Sequence, residues 1–125
     1  MDFGLNHRGK CHFQWGKFPG EIYLPKWEKI TGLYCDSWQT KYMTTRWGTC
    51  NINKKKLWFN LQLAKKPPEC LEYIVLHELA HLKEKTHNKD FVAILDSYMP
   101  NWREIKQKLN STILDYMSSN TILKE

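Results

Sequence analysis

No apolar run in the chain approaches the roughly 18 residues that a membrane-crossing helix needs, so no membrane segment is expected. The first ten residues, MDFGLNHRGK, lack the apolar core of a secretory signal, and the expectation is a soluble cytoplasmic protein. Cysteine is sparse. The 4 cysteines, Cys11, Cys35, Cys50 and Cys70, form no Cys-x-x-Cys pair, and an intracellular chain of this size needs no disulfide framework, so they read as reduced thiols. No Gly-rich phosphate loop of the P-loop kind is present. Acidic residues are outnumbered 13 to 19 by Lys and Arg, for a net charge of +6. The imbalance is local: residues 1 to 66 hold 12 basic and 4 acidic residues, whereas residues 67 to 125 hold 7 and 9. A basic half suits an anionic partner, although Lys54, Lys55 and Lys56 fall at a predicted turn, where charge is ordinary.

What is present is a chain that folds. Hydrophobic residues make up 42% of 125 residues, with 6 Trp, 6 Tyr and 5 Phe, too apolar for disorder and enough for one domain. Residues 1 to 24 carry four glycines and Pro19 without a period, and read as irregular. Pro25 suits the first position of a short helix running to Ile30, which Gly32 can close. Leu33 to Thr44 reads as a strand, and Arg46-Trp47-Gly48-Thr49-Cys50 leads into a second. In a third strand, Leu57, Phe59, Leu61 and Leu63 share one face, leaving Trp58, Asn60 and Gln62 on the other, where they can meet a ligand. Pro67 and Pro68 start a helix that runs to about Lys83, and Asn88 caps another with Phe91, Ile94, Leu95 and Tyr98 as its apolar stripe. A short helix is also expected around Ser111 to Met117. The fold class is α+β, a small antiparallel or mixed sheet packed on one long helix that two further helices follow. Residues 25 to 110 form the domain, and 111 to 125 a tail or short helix.

The long helix has two faces. With His77 at 0° and about 100° per residue, Leu71, Val75, Leu79 and Leu82 fall near 120° to 200°, a stripe for the sheet. Cys70, Ile74, His77 and His81 fall between about 0° and 60°, where a surface helix would carry Lys and Glu. His77-Glu78-Leu79-Ala80-His81 accounts for that second face. The i, i+4 spacing sets both imidazoles about 6 Å apart, able to share one metal at about 2.1 Å each. Glu78, about 100° away on the helix, reaches the flank and can hold a metal-bound water without being a ligand. With 5 His and 8 Glu in the chain, this pattern arises by chance in roughly one such sequence in a hundred, so a third ligand is needed. His87 is the candidate. On a continued helix it would lie about 9 Å further along the axis, so the chain must turn between Leu82 and His87 to bring it back. Lys83-Glu84-Lys85-Thr86 offers no apolar residue to hold a helix down, and three His leave a fourth position open, as in a catalytic zinc site. His7 and His12 read as exposed and idle. Cys70 lies about 10 Å along the axis from His77, and with Cys50 reads as buried packing.

Several motifs in order resemble one family: Arg46-Trp47-Gly48-Thr49-Cys50, Leu57-Trp58-Phe59-Asn60-Leu61, Lys66-Pro67-Pro68-Glu69, Tyr73 to Leu82 around the two histidines, His87-Asn88-Lys89-x-Phe91 and Met99-Pro100-x-Trp102. Together, over about Trp27 to Leu109, they are similar to the YgjP-like (DUF45) metallopeptidase domain of the zincin group. The spacing to the third His also resembles that of the WLM proteases, which cleave proteins crosslinked to DNA. Thr49 stands where the family commonly has Ser and keeps the hydroxyl, while residues 1 to 24 do not resemble the family's longer N-terminal part. The resemblance implies a zincin-like fold, Zn2+ bound by His77, His81 and His87, and Glu78 as the catalytic base. Arg46, beside the glycine turn, is the first candidate to stabilise an oxyanion, or else a partner in an ion pair or cation-π contact; Tyr98 is a weaker candidate.

Three functions follow as alternatives. The first is a zinc metallopeptidase whose peptide or unfolded-protein substrate pairs with the strand Leu57 to Leu63. The second, also implied by the resemblance, is a metal-dependent nucleotide pyrophosphatase acting on UTP, its phosphates held by the basic half. The third is a zinc-stabilised nucleic-acid-binding module using the lysines and Trp58, although structural zinc sites usually have four protein ligands including Cys.

Overall fold

The computed structural model describes residues 20–111, in the order α1 (Gly20–Thr31), β1 (Ser37–Lys41), β2 (Gly48–Asn51), β3 (Lys56–Asn60), a 3-10 helix (Leu61–Lys65), α2 (Pro68–Ala80), α3 (Lys89–Tyr98) and α4 (Trp102–Asn110). The expected class is observed: a three-stranded mixed sheet and α2, with two helices after it. Strand order is β1-β3-β2, with β1 parallel to β3 and β2 antiparallel to it. β3 is therefore the central strand, not an edge. Of the segment expected to be irregular, residues 1 to 24, the part from Gly20 to Leu24 is helical, and residues 1 to 19, like the short helix expected at Ser111 to Met117 beyond Ser111, lie outside the described residues.

The first helix begins at Gly20, so Pro25 lies inside it rather than at its start. Pro25 forgoes the bond to the carbonyl of Glu21, at a cost of about 3 kcal/mol in a helix interior. Leu24 and Trp27, both buried, offset it: two large apolar side chains contribute on the order of 3–6 kcal/mol. Trp27 Nε1 and Lys26 Nζ also donate to Glu72 Oε1, at 2.9 and 2.7 Å, and dock α1 on α2. The strands are shorter than the alternation predicts. Upstream of β1, the buried Glu28 carboxylate accepts from the backbone N–H of Cys35 at 3.0 Å, and Gly32, with φ of 76°, turns the chain out of α1. β3 stops at Asn60 because its side chain caps the 3-10 helix, accepting from Gln62 N at 3.0 Å.

Around α2 the expectation of one sheet-facing stripe is also corrected. Cys70, Leu71 and every residue from Tyr73 to Ala80 are buried, so the helix is enclosed on all sides and its apolar residues need no single stripe. Against β2, the contact is made by Ile74 and Glu78. Pro67 and Pro68 stand where expected, and Asn88 caps α3 by accepting from Phe91 N at 2.8 Å. Trp102 opens α4, stacks on Tyr73 with centroids 6.2 Å apart, and donates from Nε1 to Asp96 at 2.8 Å.

Candidate metal centre and cleft

α2 ends at Ala80 and the chain turns at once: the N–H groups of Lys83 and Glu84 both reach the Ala80 carbonyl, at 3.0 and 2.9 Å. This turn carries His87 back over the helix end. His87 Nε2 lies 3.1 Å from His81 Nε2 and 3.2 Å from His77 Nε2. One ligand atom from each residue lies within 4.8 Å of the others. Two nitrogens bound tetrahedrally at about 2.1 Å would stand about 3.4 Å apart, so His87 lies within a few tenths of an ångström of the separation from His81 and from His77 that sharing one ion requires. The donor chemistry agrees. His81 Nδ1 sits 3.1 Å from the Glu84 carbonyl, and a carbonyl only accepts, so Nδ1 carries the proton and Nε2 presents its lone pair to the common point. Burial, with the charge of His87 adding to it, lowers the His81 pKa, which keeps the ring neutral and ready to ligate.

Phe91 forms the floor of this centre. It is buried, and its ring centroid lies 4.9, 4.6 and 4.8 Å from those of His77, His81 and His87. Tyr73 meets His77 edge-on at 5.7 Å. Capping therefore has a second consequence: the Asn88 bond that starts α3 also sets Phe91 under the imidazoles.

Glu78 is buried on the flank, against β2. A Cβ added to Gly48 would stand 3.1 Å from Glu78 Oε2, 3.2 Å from its Cγ and 3.0 Å from Ile74 Cγ2. A larger residue there would push Ile74 and Glu78 back by a few tenths of an ångström. A cleft of about 760 Å³ opens here, lined by Glu78, His81 and His87 on one side and by Arg46, Gly48, Thr49 and Cys50 on the other. Arg46 thus lies on the cleft wall, and Tyr98 does not; Tyr98 lines a separate depression beside α3.

The model of the YgjP-like metallopeptidase domain matches residues 19–112, three quarters of the chain. The chain belongs to the YgjP-like metallopeptidase family. Among solved structures, this YgjP-like chain is similar to the metallopeptidase zymogen abylysin of Pyrococcus abyssi, with 21% identity and a TM-score of 0.67 over 73% of this chain and 91% of that one. It is also similar to the metallopeptidase zymogen jannalysin of Methanocaldococcus jannaschii, with 24% identity and a TM-score of 0.64 over 74% and 95%. At these identities the likeness is one of fold, the zincin-like one. No curated protein matches the chain. Family membership makes it a hydrolase, a metallopeptidase, and implies a divalent metal.

The structure of this YgjP-like domain brings together His77, His81 and His87, with Glu78 and Arg46 on the adjoining cleft. Cys70 is buried outside the triad. Cys50 lines the cleft, and burial, reinforced by the Glu78 charge and by Cys35, pushes its thiol up to about 12, a poor ligand as it stands. Asn60 and Gln62 are not ligand-facing. Asn60 Nδ2 donates to the carbonyls of Met43 (2.9 Å) and Arg46 (2.8 Å), its Oδ1 accepts from Met43 N, and Gln62 Nε2 donates to Met43. The pair staples the loop that carries Arg46. Sequence reasoning missed this because alternation assigns a face but not its neighbour. In the sequence Gly48 read only as a turn and Phe91 only as part of an apolar stripe, so their places beside Glu78 and beneath the imidazoles were missed.

Among the described residues no helix is long and apolar enough to cross a membrane.

Proposed function

We propose that this chain is a zinc-dependent metallopeptidase in which His77, His81 and His87 hold the zinc, Glu78 moves the proton and Arg46 steadies the developing negative charge. The observation that carries the reading is the convergence of three imidazole Nε2 atoms beside a buried carboxylate on an open cleft. An all-imidazole set with room for a further ligand suits a catalytic zinc better than a closed structural one. When bound there, zinc supplies Lewis acidity that brings the pKa of a water to about 7 and polarises a carbonyl.

The protein's own groups do the rest. Glu78 accepts the proton of the attacking water and returns it to the leaving amine, so no covalent intermediate is needed. Its burial beneath Gly48 holds the carboxylate in one place. Arg46, on the opposite wall, meets the charge that builds on the carbonyl oxygen.

The substrate edge is reassigned. Leu57 to Leu63 cannot accept a peptide, because β3 is paired on both sides. β2 is an edge strand, and Gly48, Thr49 and Cys50 line the cleft, so an extended peptide laid along β2 passes beside Glu78.

The test compares the parent with Glu78→Gln. Both should carry about one zinc per chain and melt alike, while the variant loses roughly 100- to 10,000-fold in hydrolysis of a denatured protein. Near-parental hydrolysis by Glu78→Gln would sink the assignment of the base, and metal-dependent release of pyrophosphate from UTP without any peptide cleavage would sink the peptidase reading.

A further inference from the structure

Charge around the cleft is one-sided. Of its lining side chains among the described residues, Glu78 is the single acid, whereas Arg46, Lys83 and Lys85 are basic. The cations stand on two lips, Arg46 on the segment leading into β2 and the two lysines on the turn between α2 and α3. Ile52 and Asn53 bring in the tip of the β2–β3 hairpin, and exposed Lys54 and Lys55 follow directly. That tip is shaped: Asn51 Oδ1 accepts from Lys54 N at 3.1 Å, and Lys55 N reaches the Ile52 carbonyl at 3.2 Å. Among the described residues none of these five cations is ion-paired, whereas Lys26, Arg103 and Lys108 are. The neighbouring acids do not line the cleft. Glu84, between the two lysines, accepts from Asn88 and lines the depression beside α3 with Asp90 and with Lys83, which borders both, so Arg46 and Lys85 are the cations of the cleft alone. Asp36 joins the hairpin tip through its backbone N–H and does not line the cleft.

We infer that the cleft selects extended peptides carrying Asp or Glu close to the scissile bond, read by Lys83, Lys85 and Arg46 across it; the inference rests on the peptidase reading above. A groove of one sign focuses its field and raises the local concentration of an oppositely charged chain, and a divalent metal beside Glu78 strengthens that field. The anion is a polypeptide rather than a nucleic acid. Single-stranded nucleic acid binds by stacking bases on aromatic side chains, and the lining holds no Phe, Tyr or Trp. Trp58, the aromatic on the nearby hairpin, has Lys56 Nζ over its ring at 4.7 Å. A peptide, by contrast, finds an edge strand along which its main chain can pair.

Two measurements on the zinc-loaded protein test this. Cleavage sites in a mixed peptide pool should be enriched in Asp and Glu around the broken bond. In the second, labelled acidic and basic peptides of equal length are titrated against Glu78→Gln. At about 50 mM salt the acidic peptide should bind roughly tenfold more tightly, and the preference should collapse at about 0.5 M, where screening acts within a few ångströms. Lys85→Glu should cut the acidic-to-basic ratio by roughly two- to tenfold with zinc content unchanged, while Lys29→Glu, on α1 away from the cleft, leaves the ratio as it was. Cleavage without regard to charge overturns the inference and leaves the peptidase reading standing. Failure to cleave any peptide overturns the peptidase reading and the inference with it. A binding preference indifferent to salt or to Lys85→Glu overturns the inference. So does oligodeoxythymidylate of equal charge binding more tightly than the acidic peptide.

Discussion

Gly48→Ala is the substitution by which the packing of α2 on β2 can be measured. The added methyl would stand 3.0 Å from Ile74 Cγ2, 3.1 Å from Glu78 Oε2 and 3.2 Å from Glu78 Cγ, so its neighbours must retreat by a few tenths of an ångström. Ile74 and the base of Glu78 have little room, because both residues are buried, although the Glu78 carboxylate borders the cleft. Overpacking of this kind costs about 1–3 kcal/mol, and the smaller entropy of an unfolded alanine offsets only about 0.4–1 kcal/mol. The net loss, about 1–2 kcal/mol, lowers Tm by roughly 5–15 °C in a domain of this size. Two of the three contacts are with Glu78, so kcat/KM should fall by about tenfold or more as the carboxylate shifts, while zinc content stays near one per chain. Ile74→Leu removes the Cγ2 contact at constant volume, so adding it to Gly48→Ala should restore part of the Tm and none of the activity. Calorimetry, metal analysis and hydrolysis of a denatured protein read the three quantities separately. Parental Tm and parental kcat/KM in Gly48→Ala would refute the argument.

His87→Ala should lose its zinc to a mild chelator and show a Tm that added chelator no longer lowers; retention of one zinc per chain would disprove the third ligand. In the metal-free protein, the depressed His81 pKa means that the unfolded chain takes up a proton first, near the ordinary imidazole value of 6.5. Stability should therefore hold above that pH and decline below it towards the folded pKa, a slope that His81→Gln should flatten in pH-dependent melts. With its thiol pushed up to about 12, Cys50 should resist iodoacetamide at pH 8, and Glu78→Gln should speed its alkylation by removing one of the charges that raise it, as mass spectrometry would record. Asn60→Ala strands the Arg46 carbonyl and leaves the Met43 carbonyl with Gln62 alone, and should cost about 1–3 kcal/mol, with lowered kcat/KM and intact zinc; unchanged kinetics would show that the staple does not position Arg46.

What could be read in the chain was local. His77 and His81 are four residues apart, and helical geometry alone places them on one side. Pro67-Pro68 and Asn88 are end signals whose effect lies within one turn of themselves. The return of His87 followed from the absence of anything to hold residues 83 to 86 in a helix, and the structure turns there.

Alternation told which residues of a strand share a face, but not which strand lies beside it. The parallel pairing of β1 with β3 brings together residues some 19 positions apart, such as Trp38 and Leu57, and it made β3 central and β2 the edge at the cleft. The same non-locality hid the start of α1, where burial of Leu24 outweighs the cost of Pro25, and the enclosure of α2 by partners on all sides. The sequence by itself determined which histidines could share a metal, because ligand type and helical spacing are properties of a few neighbouring residues. Only the tertiary structure decided what surrounds that chemistry: Gly48 against Glu78, Phe91 under the imidazoles, Asn60 holding the Arg46 loop, and the cations gathered on the lips of one cleft. Apart from the short step from His87 to Phe91, each of those is a contact between separate segments of the chain, made by packing.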